Sequence, residues 1–142
     1  MTLPESKPAG PIKVVAAYVD GTRLKGFVFN FSPLSDQCRF FPSERAVPGE
    51  AREVHLLEVK ALFFVKEFSN PALHDKTHSH EFVGAAHGRR IEVIFADGEL
   101  VTGTTEGYNP RRLGFFVTPA NQEGNNLRIF VVNANVSKVR WL

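Results

Sequence analysis

The sequence predicts an all-β chain of two tandem five-stranded small barrels related by an internal duplication, and three observations carry that prediction. Short runs rich in β-branched and aromatic residues alternate with Gly, Pro, Asn and Asp punctuation. Two of these runs end at Asp20-Gly21 and Asp97-Gly98, and Asp-Gly is the strongest short hairpin signal. Asp20 and Asp97 lie 77 positions apart, as do Gly26 and Gly103, Pro33 and Pro110, and Pro42 and Pro119. Val54 and Val131, Val59 and Val136, and Val65 and Leu142 keep the same offset of 77, so residues 13–65 align with residues 90–142 without a gap. The positions that match are turn formers and core formers, the ones a repeated fold needs.

Within each unit the elements follow in order. Residues 13–19 and 90–96 read as first strands, each entering its hairpin at Asp-Gly. The second strand is expected over 22–31 and 99–108, with Gly26 and Gly103 marking a bulge or sharp bend that lets one strand serve two sheets. Turns at Ser32-Pro33 and Asn109-Pro110 lead to third strands ending at Pro42 and Pro119, because proline has no N–H to give a ladder. Fourth strands are expected at 53–57 and 128–133, brief turns at 58–60 and 134–137, and closing strands at 61–65 and 138–142. Strands this short and bent suit a small, partly open barrel, since closure removes exposed edges. The chain thus divides into a flexible, proline-containing leader over 1–11, a first unit over 12–65, a linker over 66–89 and a second unit over 90–142.

Composition narrows the functional classes. Seventeen basic and fifteen acidic residues give a net charge of only +2 and form no long like-charge block, which does not support a dedicated DNA-binding arm. Cys38 is the only cysteine, so no intrachain disulfide forms and a reducing, cytoplasmic setting is expected. No apolar run is long enough to span a bilayer.

Val93-Ile94-Phe95-Ala96-Asp97-Gly98, followed by Gly103 and then Gly107-Tyr108-Asn109-Pro110, resembles the first Sm motif: strand, Asp-Gly turn, glycine bend and aromatic. That resemblance implies SH3-like or Sm-like barrels. The second Sm motif is half present, because Leu57-Glu58-Val59-Lys60 and Ala134-Asn135-Val136-Ser137 lack its Arg-Gly or Lys-Gly pair, which an Sm-type RNA pocket uses. Over nearly its whole length the chain also resembles an uncharacterised group of bacterial proteins built from this pair of repeats. The matching stretches run from Ala61 through Phe64 to Phe68, and through Gly107-Tyr108-Asn109-Pro110, Gly114-Phe115-Phe116 and Asn125-Asn126-Leu127-Arg128. Members are sometimes found beside signalling domains, so the resemblance implies regulation without identifying a ligand.

Four histidines, His74, His78, His80 and His87, fall in the linker beside Asp75 and Glu81. In a helix His74 and His78 would share one face, as zinc ligands can, yet no established ligand spacing is matched; His74, His78 and His80 stand as weak metal candidates, and no cofactor is expected. The turn Tyr108-Asn109-Pro110-Arg111-Arg112 brings together an aromatic, an amide and two guanidinium groups. Tyr108, Asn109, Arg111 and Arg112 are therefore the candidate ligand- or partner-binding residues, since Arg suits bidentate contacts with phosphate or carboxylate. The first unit has Phe31-Ser32-Pro33-Leu34-Ser35 at the matching positions, so only the second corner is cationic. Asn125-Asn126, opposite Pro48-Gly49, read as turn formers.

Catalysis has little to stand on. Cys38 reads as a buried small hydrophobe, and no phosphate-cradling glycine loop, dinucleotide fingerprint or metalloprotease motif occurs. Residues 27–31, 61–65 and 127–132 carry apolar side chains on both faces, where a half-exposed strand would alternate. That pattern predicts that the barrels pack on one another or on a second molecule. The sequence thus favours a non-catalytic regulatory adaptor that binds another protein, through a sheet edge or the seam between barrels, with a homodimer as one form. Single-stranded RNA binding and a nucleotide-type ligand at the Tyr108–Arg112 corner are the alternatives.

Overall fold

A computed structural model describes residues 10–84 and 87–142; most of the expected leader lies outside them. The first half contains β1 (Ile12–Tyr18), β2 (Arg23–Val28), β3 (Gln37–Phe40), β4 (Arg52–His55) and β5 (Val59–Val65). A one-turn helix α1 (His74–Thr77) lies in the linker, and the second half contains β6 (Arg89–Phe95), β7 (Leu100–Thr105), β8 (Gly114–Pro119), β9 (Asn126–Val132) and β10 (Val136–Trp141). The first residues of β1 and β6, of β2 and β7, of β3 and β8, and of β5 and β10 are each 77 positions apart. No described helix is long and apolar enough to cross a membrane.

Two separate small barrels are not what these strands build. Eight of them form one antiparallel sheet in the order β10-β6-β7-β8-β9-β5-β1-β2, while β3 and β4 form a two-stranded ladder. That ladder is tied to β2 by the Phe27–Phe41 bridge. The expected closure fails because only one edge of β5 pairs within its own half. It pairs with β1 on one side and with β9 of the second half on the other, from Ala61 opposite Val131 to Val65 opposite Asn126.

This shared seam explains the two-sided apolar strands. On β1, β5 and β9, Val14, Ala16, Leu62, Phe64, Phe130 and Val132 enter one core, whereas Val15, Ala17, Ala61, Phe63, Val65, Ile129 and Val131 enter the other. Each half therefore completes its core with side chains from the other half. All seven residues of β5 are buried, and burial of its Val, Leu and Phe side chains contributes about 1.5–3 kcal/mol each.

Local details follow the sequence in order, with corrections: the second strands end at Val28 and Thr105, short of the expected residues 31 and 108, and the closing strands begin at Val59 and Val136, inside the expected turns. Gly21 and Gly98 sit at the hairpin tips with φ of 93° and 90°, the left-handed region that favours glycine. Gly26 and Gly103, in contrast, mark no bulge, since β1–β2 and β6–β7 run in unbroken register through them. They permit close approach instead. A Cβ on Gly26 would lie 2.8 Å from the Phe40 ring, and one on Gly103 would run into the Thr118 carbonyl and lie 2.7 Å from Val117 Cγ1. The fourth strand of the first half stops at His55, earlier than the pattern suggested, because Leu56–Glu58 turns as a 3-10 helix; Asn133–Asn135 does the same 77 residues on.

Candidate functional site

The corner after β7 is fixed by two asparagines. Asn109 Oδ1 accepts a hydrogen bond from the Arg111 amide at 3.0 Å, and the Asn109 carbonyl accepts one from the Arg112 amide at 3.2 Å. Asn133, in the turn after β9, donates its Nδ2 to the Asn109 carbonyl at 3.0 Å and to the Arg112 carbonyl at 2.9 Å. The backbone carrying both arginines is thereby held from a separate element. Sequence reading placed Asn133 at the end of the fourth strand and did not single it out; the structure ends that strand at Val132 and sets Asn133 in the turn that follows, where an amide side chain serves the backbone.

Beside this corner lies a cleft of about 810 Å3 whose lining includes Thr104, Tyr108, Asn109, Arg112, Phe116 and His87. Three of the four predicted residues thus come together, while Arg111 is exposed and does not line the cleft. The Tyr108 ring is not free for stacking. It meets Phe115 edge-on at 4.8 Å and Trp141 at 5.5 Å, which makes it a wall of the site. Phe31, its counterpart in the first half, meets Phe64 at the same 5.5 Å.

Thr104 is 3% exposed, and its hydroxyl oxygen is shielded with no hydrogen-bond partner among the described residues. Its neighbour Thr105 donates its hydroxyl to the Phe116 carbonyl at 2.8 Å. Both of these buried threonines line the cleft, and they differ in whether the hydroxyl has a partner among the described residues. Nearby, the Arg128 guanidinium lies 4.6 Å from the Phe64 ring centre and 4.3 Å from that of Phe116, a cation–π arrangement. Burial lowers the Arg128 pKa from its ordinary value.

The linker histidines separate. His87 borders the corner cleft, whereas His74, His78 and His80 border a second cleft of about 820 Å3. The expected helical pairing of His74 and His78 is present: the His78 amide donates to the His74 carbonyl at 3.1 Å and the rings lie 4.5 Å apart. His80 turns away from them, its Nδ1 2.9 Å from Thr102 Oγ1. Among the described residues, no group of three or more histidines, cysteines or acids is placed to hold a metal.

Asn125 proves to be more than a turn former. Its Nδ2 donates to the Glu67 carbonyl at 2.7 Å, its Oδ1 accepts from the Glu67 amide at 3.1 Å, and its amide donates to Thr77 Oγ1 at 2.8 Å. It clamps the linker to the second half. Cys38 is buried, and desolvation pushes its thiol pKa up to about 11, which suppresses the thiolate needed for nucleophilic chemistry.

The chain belongs to a family of unknown function, DUF6982, whose model matches residues 10–142. Comparison with curated proteins and with solved structures found no match.

Proposed function

We propose that the chain is a non-catalytic regulatory binding module, a fused duplication of one five-stranded unit, that takes a nucleotide-type small ligand in the cleft at the Tyr108–Arg112 corner. The observation that carries this reading is the Thr104 hydroxyl, shielded and unpartnered among the described residues, in a cleft also lined by Arg112, whose backbone Asn133 holds. A buried polar group without a partner costs about 1–3 kcal/mol, and a ligand edge offering a donor or acceptor removes that cost. Arg112 suits a phosphate, and Phe116 supplies an apolar wall for a base. Glu106, the one carboxylate in the lining among the described residues, steers negative charge toward the Arg112 end.

Support for the duplication lies in pairs of contacts as well as in strand positions. The Val19 amide donates to the Glu58 carbonyl and the Ala96 amide to the Asn135 carbonyl, both at 3.0 Å, with each participant shifted by 77. Phe31 on Phe64 and Tyr108 on Trp141 form another such pair. In this reading the first corner was given over to the core and the second kept for ligand. The seam that sequence suggested as a protein-docking surface is filled by the chain's own β5 and β9, so a protein partner would need another surface.

The test is thermal unfolding monitored by fluorescence with ATP, GTP and a cyclic dinucleotide added separately. A ligand present at about 100 times its Kd stabilises by roughly 2.7 kcal/mol, a midpoint shift of several degrees. Arg112→Gln and Thr104→Val should each shrink the shift. The reading fails if none of the three moves the midpoint, or if both variants respond as the parent does.

A further inference from the structure

The second cleft, remote in composition from the Tyr108–Arg112 corner, has a chemistry of its own. Its floor is apolar and drawn from both halves: Val15 on β1, Phe63 and Val65 on β5, Val101 on β7 and Ile129 on β9. One rim carries Arg23 and Lys25 from β2, and the other carries His74, His78 and His80 from the linker.

Among the described residues Glu99 is the only carboxylate in the lining, and it is already engaged. Its Oε2 accepts from Lys60 Nζ at 2.5 Å and lies 3.9 Å from Arg23 Nη2. Arg23 also sits 5.7 Å from the centre of the Phe63 ring, over the floor. The ammonium of Lys25 and the rings of His74 and His78 thus face a space whose single negative charge is spent on Lys60. The histidine rim is held in place by Asn125, through Thr77 and Glu67, and by the bond of His80 to Thr102.

We propose that this cleft binds an amphipathic organic anion, an apolar body seated on the Val15–Phe63–Ile129 floor with its carboxylate, sulfonate or phosphate between Lys25, Arg23 and the histidine rim. Neither half alone can form the site, because the floor crosses the seam and the two rims belong to different segments. Fusion of the two units is what creates it. The proposal goes beyond the corner cleft and does not depend on it.

The test uses the intact chain and two fluorescent probes, 1-anilinonaphthalene-8-sulfonate and its uncharged relative N-phenyl-1-naphthylamine. The sulfonate probe should bind saturably with one site per chain, at least tenfold more tightly than the uncharged probe. Arg23→Gln with Lys25→Gln should weaken the sulfonate probe by at least tenfold and leave the uncharged one within about twofold. Arg112→Gln should leave both unchanged. Absence of saturable sulfonate binding overturns the proposal, as does equal binding of the two probes by the parent chain, a comparison that needs no variant. Loss on Arg112→Gln would place the probe in the corner cleft and would overturn it too.

Discussion

Replacing Thr104 by valine should make the protein more stable, and replacing Thr105 by valine should make it less so. Both residues lie on β7 and are buried, 3% and 5% exposed. Valine has nearly the shape of threonine and suits a strand, so packing and propensity change little at either site. What differs is the hydroxyl. That of Thr104 is shielded and unpartnered among the described residues, and an unmet buried hydroxyl costs about 1–3 kcal/mol. Its removal should therefore gain about 1–2 kcal/mol. Thr105 Oγ1 donates to the Phe116 carbonyl at 2.8 Å, and loss of one such bond costs about 1 kcal/mol. With a urea slope of about 2 kcal/mol per molar, the midpoint should rise by roughly 0.5–1 M for Thr104→Val and fall by roughly 0.5 M for Thr105→Val. Equilibrium urea unfolding followed by Trp141 fluorescence reads both. If Thr104→Val lowers the midpoint as Thr105→Val does, the hydroxyl is satisfied in solution and the argument for an unmet group at the corner cleft collapses.

Three further outcomes follow from particular contacts. Lys60 is 6% exposed, and its Nζ meets Asp97 Oδ2 at 2.6 Å and Glu99 Oε2 at 2.5 Å. Desolvation pulls its pKa down, and the hydrogen bonds and charges of Asp97 and Glu99 more than offset this, leaving it above the ordinary lysine value; the hydrogen bond from Lys60 is the main reason Asp97 lies below the ordinary carboxylate value. Asp97→Asn with Glu99→Gln, which strands a buried ammonium, should therefore cost about 2–3 kcal/mol in urea, short of the roughly 3–5 for a fully buried pair because the carboxylates are half-exposed, whereas Lys60→Met should cost under about 1. The Asp97 contribution should be present at neutral pH and fade as pH falls through its depressed pKa, and the Lys60 contribution should persist from neutral pH until pH rises through its elevated one. Gly103→Ala forces a Cβ into the Thr118 carbonyl and should destabilise by roughly 2–3 kcal/mol, while Gly49→Ala, with open space around it, should stay within about 0.5. Asn125→Ala should leave the global midpoint nearly intact but speed tryptic cleavage at Lys66, since it releases the two side-chain bonds to Glu67 while the backbone bond to Thr77 remains; unchanged cleavage would show that those two bonds do not hold the linker.

Hairpins, strand order along the chain and the spacing of 77 between matching strand starts were legible because they rest on local chemistry. Asp-Gly dictates a turn wherever it occurs, and Pro42 and Pro119 end or bound strands by lacking an N–H. The single continuous sheet was not legible, because strand partners are chosen by tertiary packing. Ala61-Leu62-Phe63-Phe64-Val65 announces that both faces are covered, and the sequence allowed either a second barrel or a second molecule to cover them; the choice of β9 depends on Phe130 and Ile129 arriving from the other half. The same holds for the site. Tyr108, Asn109 and Arg112 were readable as a turn rich in binding chemistry. Thr104 was not, since nothing local distinguishes it from Thr105, and only three-dimensional placement decides which hydroxyl finds a carbonyl.

The offset of 77 also explains why the sheet stops where it does. If β10 of one chain met β4 of another as β5 meets β9, the pairs Ala61–Val131 and Phe63–Ile129 would become Lys138–Val54 and Arg140–Arg52. The second pair sets two guanidinium groups opposite each other, and like charges directly across strands are destabilising. Arg140 is instead held on its own sheet by Glu92 at 3.1 Å. Strand β5 is buried along its whole length, whereas Ser137, Lys138, Arg140 and Trp141 of β10 are exposed, as are Arg52, Glu53 and His55 of β4. These two edges carry the charges by which proteins blunt exposed strands. A chain with apolar residues on both outer strands would be open to edge-to-edge pairing; here the apolar pairing is confined to β5 and β9, and the charges on β4 and β10 oppose its repetition between chains.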